Sequence, residues 1–75
     1  MFPLSRLPLL HKARVLSLSA QEPLNGRLMD LGFVPGSEVQ PLYAAPLGDP
    51  RAYLICDTVI ALRQQDAAAV AVEEA

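Results

Sequence analysis

Seventy-five residues with six Lys and Arg, eight Asp and Glu and one His carry a formal net charge of −2, which excludes the basic footprint of a nucleic-acid binder. One cysteine, Cys56, excludes an internal disulfide framework, and so short a chain has room for one core that claims most of its Leu, Ile and Val. No window reaches the roughly 18 apolar residues of a membrane span, and MFPLSRLPLL is broken by Pro3, Arg6 and Pro8, so residues 1–75 are expected to form a single soluble intracellular domain with no secretory leader.

Between Phe2 and Leu10 the pattern has no clean period. Leu4 and Leu7 can share one helical turn that Pro8 stops, and the segment is expected to cover an open end of the core. Ala13 to Leu18 is the first strand, with Ala13, Val15 and Ser17 on one face and Arg14, Leu16 and Leu18 on the other. Leu24, Leu28 and Leu31 then recur at helical spacing, which predicts a helix of about two turns opened by Pro23. Gly26 inside it costs about 1 kcal/mol relative to Ala, a sign of close backbone packing or a frayed first turn. Gly32 is placed to end the helix in the left-handed conformation, and Pro35-Gly36 predicts a type II turn that redirects the chain.

Ser37 to Tyr43 follows as a strand in which Pro41 lacks a ladder donor and marks an edge, bulge or bend. Pro46, Gly48, Asp49 and Pro50 make Ala44 to Pro50 a loop, with Leu47 as its apolar tip and Asp49 accepting backbone hydrogen bonds. Ala52 to Cys56 and Thr58 to Leu62 pair as a hairpin reversed at Asp57-Thr58. Gln64-Gln65-Asp66 forms a short helical turn and Ala69 to Val72 the last strand, after which Glu73 and Glu74 fray into solvent. Five short strands and one inserted helix predict a mostly β fold, a small antiparallel barrel closed over one core.

Residues able to carry chemistry are few and scattered. His11 and Cys56 form no metal-ligand spacing; His11 reads as a surface or packing residue and Cys56, in an apolar strand, as an inert half-buried thiol. The acidic residues are spread along the chain, which leaves at most weak surface affinity for a divalent ion. With no G-x-S-x-G elbow and no phosphate-binding loop, neither an enzyme nor a bound cofactor is expected. What remains are apolar anchors. Leu47, Met29, Phe33 and Tyr53 are the candidate interaction surface, because interfaces are often centred on Phe, Tyr and Met. Gly32, Pro35, Gly36, Pro46, Gly48, Asp49 and Pro50 set the turns around them.

Three segments in order, LMDLGFVPG at Leu28 to Gly36, APLGDP at Ala45 to Pro50 and IALR at Ile60 to Arg63, resemble the FeoA family, the small cytoplasmic component of the bacterial ferrous iron transport system. The likeness runs from about Leu4 to Val72. Its D-L-G-x-x-P-G pattern falls on Asp30, Leu31, Gly32, Pro35 and Gly36, its P-L-G-D-P pattern on Pro46 to Pro50, and the L-R end of the hairpin on Leu62 and Arg63. Where family members often carry glycine near the hairpin turn, this chain has Cys56-Asp57-Thr58.

The resemblance implies an SH3-like barrel with an added helical segment, offering an interaction surface rather than a catalytic set. It further implies a non-catalytic accessory or regulatory protein of the cytoplasm. Its partner would be the cytoplasmic part of the membrane Fe(II) transporter that carries a GTP-binding domain, met at the inner face of the membrane without insertion and without nucleic acid. Two other readings stay open. One is a metal-binding or metal-sensing protein using His11 and surface carboxylates. The other is an SH3-like interaction module related to those of metal-dependent repressors, binding a regulatory protein or a second copy of itself.

Overall fold

Six short stretches of β-forming sequence build the sheet in the computed structural model of residues 1–75: β1 (Phe2–Pro3), β2 (Ala13–Leu18), β3 (Glu38–Ala44), β4 (Arg51–Ile55), β5 (Thr58–Leu62) and β6 (Val70–Glu74). All neighbours are antiparallel, in the order β1-β6-β2-β3-β4-β5. Alternation sends one face of each strand inward. Ala13 and Val15 on β2, Val39 and Pro41 on β3, Tyr53 and Ile55 on β4, and Val70 and Val72 on β6 are all buried. Helix α1 (Leu24–Asp30) adds Leu28 to this core, the chain beyond it adds Phe33, and the short α2 (Gln64–Ala67) adds Ala67.

The closed five-stranded barrel predicted from the sequence does not form. β1 and β5 are the outer members of the sheet, and no pairing joins them. Closure would need a backbone ladder along the N-terminal segment, and β1 offers only two residues, one of them Pro3 with no N–H. The chain then tightens into a 3₁₀ turn at Leu4–Arg6, and side chains fill the open end instead: Leu4 and Leu7 are both at 0% exposure. The fold is mostly β and SH3-like, with six strands in an open sheet.

Three local features depart from simple alternation. Pro41 lies within β3, away from either edge strand. The β2–β3 ladder stops at Ala13↔Val39, so beyond it that flank of β3 meets Leu10, whose N–H donates to the Pro41 carbonyl at 2.6 Å. Pairing with β4 slips between Pro41 and Tyr43, a bulge at Leu42. β6 runs on to Glu74 where fraying after Val72 was predicted. Its ladder with β2 continues through Arg14↔Glu73 and Ala13↔Glu74, and at the side chains Arg14 lies 3.8 Å from Glu73 and His11 Nδ1 3.5 Å from Glu74. Gly26, finally, leaves space for a carboxylate. Its N–H donates to Glu22 Oε1 at 2.8 Å, and a Cβ there would stand 3.1 Å from the same oxygen. The negative charge sits on the first turn of α1, the end that the helix dipole favours.

Candidate functional site

Two backbone hydrogen bonds shape the Ala45–Pro50 loop: Gly48 N–H to the Ala45 carbonyl at 2.7 Å and Ala45 N–H to the Pro50 carbonyl at 2.9 Å. Pro46 presets φ at the second position of the inner turn and Gly48 takes φ +90°, so Leu47 is left at the apex with 97% of its surface exposed. Asp49 looks the other way. Its Oδ1 accepts the Gln64 N–H at 2.8 Å and so satisfies an orphan donor in the first turn of α2. The base of the loop is tied down by a carboxylate while its tip carries a bare leucine.

Next to the loop, Arg51 turns its guanidinium toward the N-terminal segment. Nη1 donates to the Leu7 carbonyl at 2.8 Å and Nη2 to the Leu4 carbonyl at 3.0 Å. Nε and Nη2 also donate to the Tyr53 hydroxyl, at 3.1 and 2.9 Å. Burial pushes the Tyr53 phenol above its ordinary value, with the Arg51 hydrogen bond acting against that rise.

Tyr53 and Phe33 are therefore core residues, both at 0% exposure, and the interaction surface expected from Leu47, Met29, Phe33 and Tyr53 loses two members. Size explains it. They are the two largest fully buried side chains, and at inward-facing positions such rings supply area that a small core needs. Met29 remains half-exposed on α1, with the Asn25 amide 3.8 Å from its sulfur. It does not join Leu47. The five residues of β4, about 15 Å of extended strand, separate the Leu47 end of the hairpin from the helix corner, where Gly32 packs on Cys56.

At that corner Gly32 has φ +111°, and the Val34 carbonyl accepts the Ser37 N–H at 3.0 Å across Pro35-Gly36, with Gly36 at φ +94°. This is a type II turn. The β4–β5 reversal falls at Cys56-Asp57, one residue earlier than predicted, because Ile55 pairs with Thr58. Both central residues have positive φ, +49° and +60°, as a type I′ turn requires, and Cys56 is exposed rather than half-buried.

The outer face of β3, β4 and β5 carries apolar side chains that form no motif in the sequence. Leu54 lies opposite Val59 and Tyr43 opposite Ala52. Tyr43, Leu54 and Val59 are 61%, 36% and 53% exposed. The signal was present in the period of two, since once Tyr53 and Ile55 face inward Leu54 must face out. No three His, Cys, Asp or Glu side chains are grouped to hold a metal ion, and no helix is long and apolar enough to cross a membrane.

The family model for the FeoA domain matches residues 2–74. The chain belongs to the FeoA family. A curated relative, the Fe(2+) transport protein A/Fe(2+) transporter FeoB fusion protein of Porphyromonas gingivalis, is 35% identical over 71 residues, which are 91% of this chain and only 8% of that protein. Among solved structures, the FeoA protein of Chlorobium tepidum superposes with a TM-score of 0.91 at 34% identity, over 97% of this chain and 70% of that one. The FeoA of Stenotrophomonas maltophilia, solved in complex with zinc, gives 0.86 at 36% identity over 97% and 91%. In this FeoA chain the D-L-G-x-x-P-G stretch forms the corner after α1 and the P-L-G-D-P stretch forms the loop that carries Leu47.

Proposed function

We propose that this FeoA chain is a non-catalytic accessory protein of ferrous iron transport, working in the cytoplasm on the cytoplasmic part of an FeoB-type transporter and docking there through Leu47. The Porphyromonas gingivalis relative carries the reading, because in it an Fe(2+) transport protein A and the transporter FeoB are one fusion protein. Fusion holds two units at high effective concentration, and a separate chain needs an anchor to reach the same neighbour.

Leu47 suits that task physically. Covering an exposed leucine side chain contributes about 1.5–3 kcal/mol. The loop beneath it is already fixed by two backbone hydrogen bonds and by the Asp49–Gln64 contact, so docking orders little that is not ordered beforehand. Iron passage and nucleotide hydrolysis are left to the transporter.

Titrating the full-length transporter in detergent with wild type and with Leu47→Asp, each checked for fold by circular dichroism, tests the proposal. Wild type binds, and Leu47→Asp raises Kd by roughly 30-fold or more, the effect of losing a central anchor. Equal affinity would remove Leu47 as the anchor; failure of the wild type to bind would remove the transporter as the partner.

A further inference from the structure

The open sheet ends in two edges of different character. At one, β1 is two residues long and contains Pro3. At the other, β5 reads Thr58-Val59-Ile60-Ala61-Leu62, without a charge, proline or glycine. Its ladder with β4 runs from Arg51↔Leu62 to Ile55↔Thr58 with no shift, whereas the β2–β6 and β3–β4 ladders both slip. Proteins blunt such a regular apolar edge with lysine, proline or a bulge unless another strand lies on it.

The hydrogen-bonding pattern of this edge follows from the turn. Ile55 and Thr58 close a two-residue reversal and so bond to each other; alternation then points the N–H and C=O of Val59 and Ala61 away from β4. Neither residue takes part in any backbone hydrogen bond outside the ladders. Opposite charges flank the strand, Asp57 before it and Arg63 after it. Both are exposed, and neither belongs to the side-chain contacts His11–Glu74 and Arg14–Glu73.

We propose that two copies of this chain join edge to edge through β5, antiparallel, with Ile60 on the twofold axis. In that register Val59 faces the partner's Ala61 in a hydrogen-bonded pair, which uses the groups left pointing outward. Asp57 then faces the partner's Arg63, and symmetry repeats the pair at the other end. The register is selective. Centring on Val59 or on Ala61 instead leaves both charges opposite uncharged residues. Exposed Val59, which already lies beside Leu54 on the outer face, also gains the partner's Ala61 on its other side. Charge and hydrogen-bond pattern are both self-complementary, which is why a second copy, rather than an extended segment of another protein, is the occupant.

Sedimentation equilibrium of the full chain over a concentration series tests this. Wild type dimerises. Arg63→Asp sets like charges against each other at both ends and raises the dimer Kd by about tenfold or more. Adding Asp57→Arg to Arg63→Asp restores the opposite pairs and brings the dimer back. Val59→Lys, at an exposed edge position, blocks pairing without touching the turn, and circular dichroism checks that every variant is folded. A wild type still monomeric at about 1 mM would overturn the proposal and leave β5 free for a foreign strand. Undiminished dimerisation of Arg63→Asp and Val59→Lys would overturn it as well, as would a folded charge-swapped variant that stays monomeric.

Discussion

When Leu4 and Leu7 enter the core at 0% exposure, their carbonyls lose water and each needs a donor from the protein. Leu7 N–H reaches the Leu4 carbonyl at 3.0 Å, and the Arg51 guanidinium supplies both carbonyls and the Tyr53 hydroxyl at once. Only a planar fork of donors can serve three oxygens in this way, so lysine is no substitute. Desolvation holds the Tyr53 phenol protonated, and its pKa is higher in the folded chain than in the unfolded one. The stability this contributes is complete below about pH 10, the unfolded value, and is lost as pH rises through the folded value. Urea unfolding at about pH 8 and about pH 11 measures it. Wild type loses more stability across that interval than Tyr53→Phe, which has no ionising phenol at the site; equal losses would assign the alkaline limb to other groups.

At the scale of elements, the corner after α1 and the β4–β5 turn are one packed unit. A Cβ at Gly32 would come 2.7 Å from Cys56 Sγ, and the backbone there has φ +111°. Gly32→Ala thus combines backbone strain of about 1–2 kcal/mol with a steric conflict, for a total loss of about 2 kcal/mol or more. Cys56→Ala removes the sulfur and leaves the φ cost in place. Thermal denaturation of both single variants and the double variant is expected to show Cys56→Ala recovering part of the Gly32→Ala loss, while strict additivity would show that the two sites do not share space. The same corner shows what a sequence announces and what it withholds. Gly32 and Gly36 are residue types that left-handed backbone demands, so their geometry is legible from composition and spacing. Cys56-Asp57 is neither Asn-Gly nor Asp-Gly, and nothing in its residue types places a type I′ turn there. Residue types alone therefore place the reversal one residue late and put an exposed thiol half-buried in a strand. The end of β6 is hidden for a related reason: Glu73 and Glu74 look like a fraying end until Arg14 and Ala13 stand opposite them.

Across the whole molecule, strands β2 to β6 were visible in alternation and turn residues, but closure was not, because it depends on where the first ten residues go rather than on any local pattern. The same holds for the interaction surface. Sequence marks Phe33 and Tyr53 as large and apolar, and only the packed chain shows that the core takes them and leaves Leu47 outside. The decisive part is the N-terminal segment, which contributes Leu4 and Leu7 to a core cluster of 13 buried residues without forming a ladder along its length. A chain of this size has a total stability of about 4–11 kcal/mol, and emptying one buried leucine position costs about 2–5 kcal/mol. Leu4→Ala or Leu7→Ala alone is expected to lower Tm by about 10 °C or more. The double variant uncovers one end of the sheet and loosens the packing of the segment whose carbonyls Arg51 holds, so its melt should lose the cooperative transition. Leu47→Ala, at a position 97% exposed, should melt like wild type. Circular dichroism melts of the four variants decide the point: if Leu4→Ala behaved like Leu47→Ala, the N-terminal segment would be a passenger on the sheet, and the open end of the core would have to be sealed by something other than these two leucines.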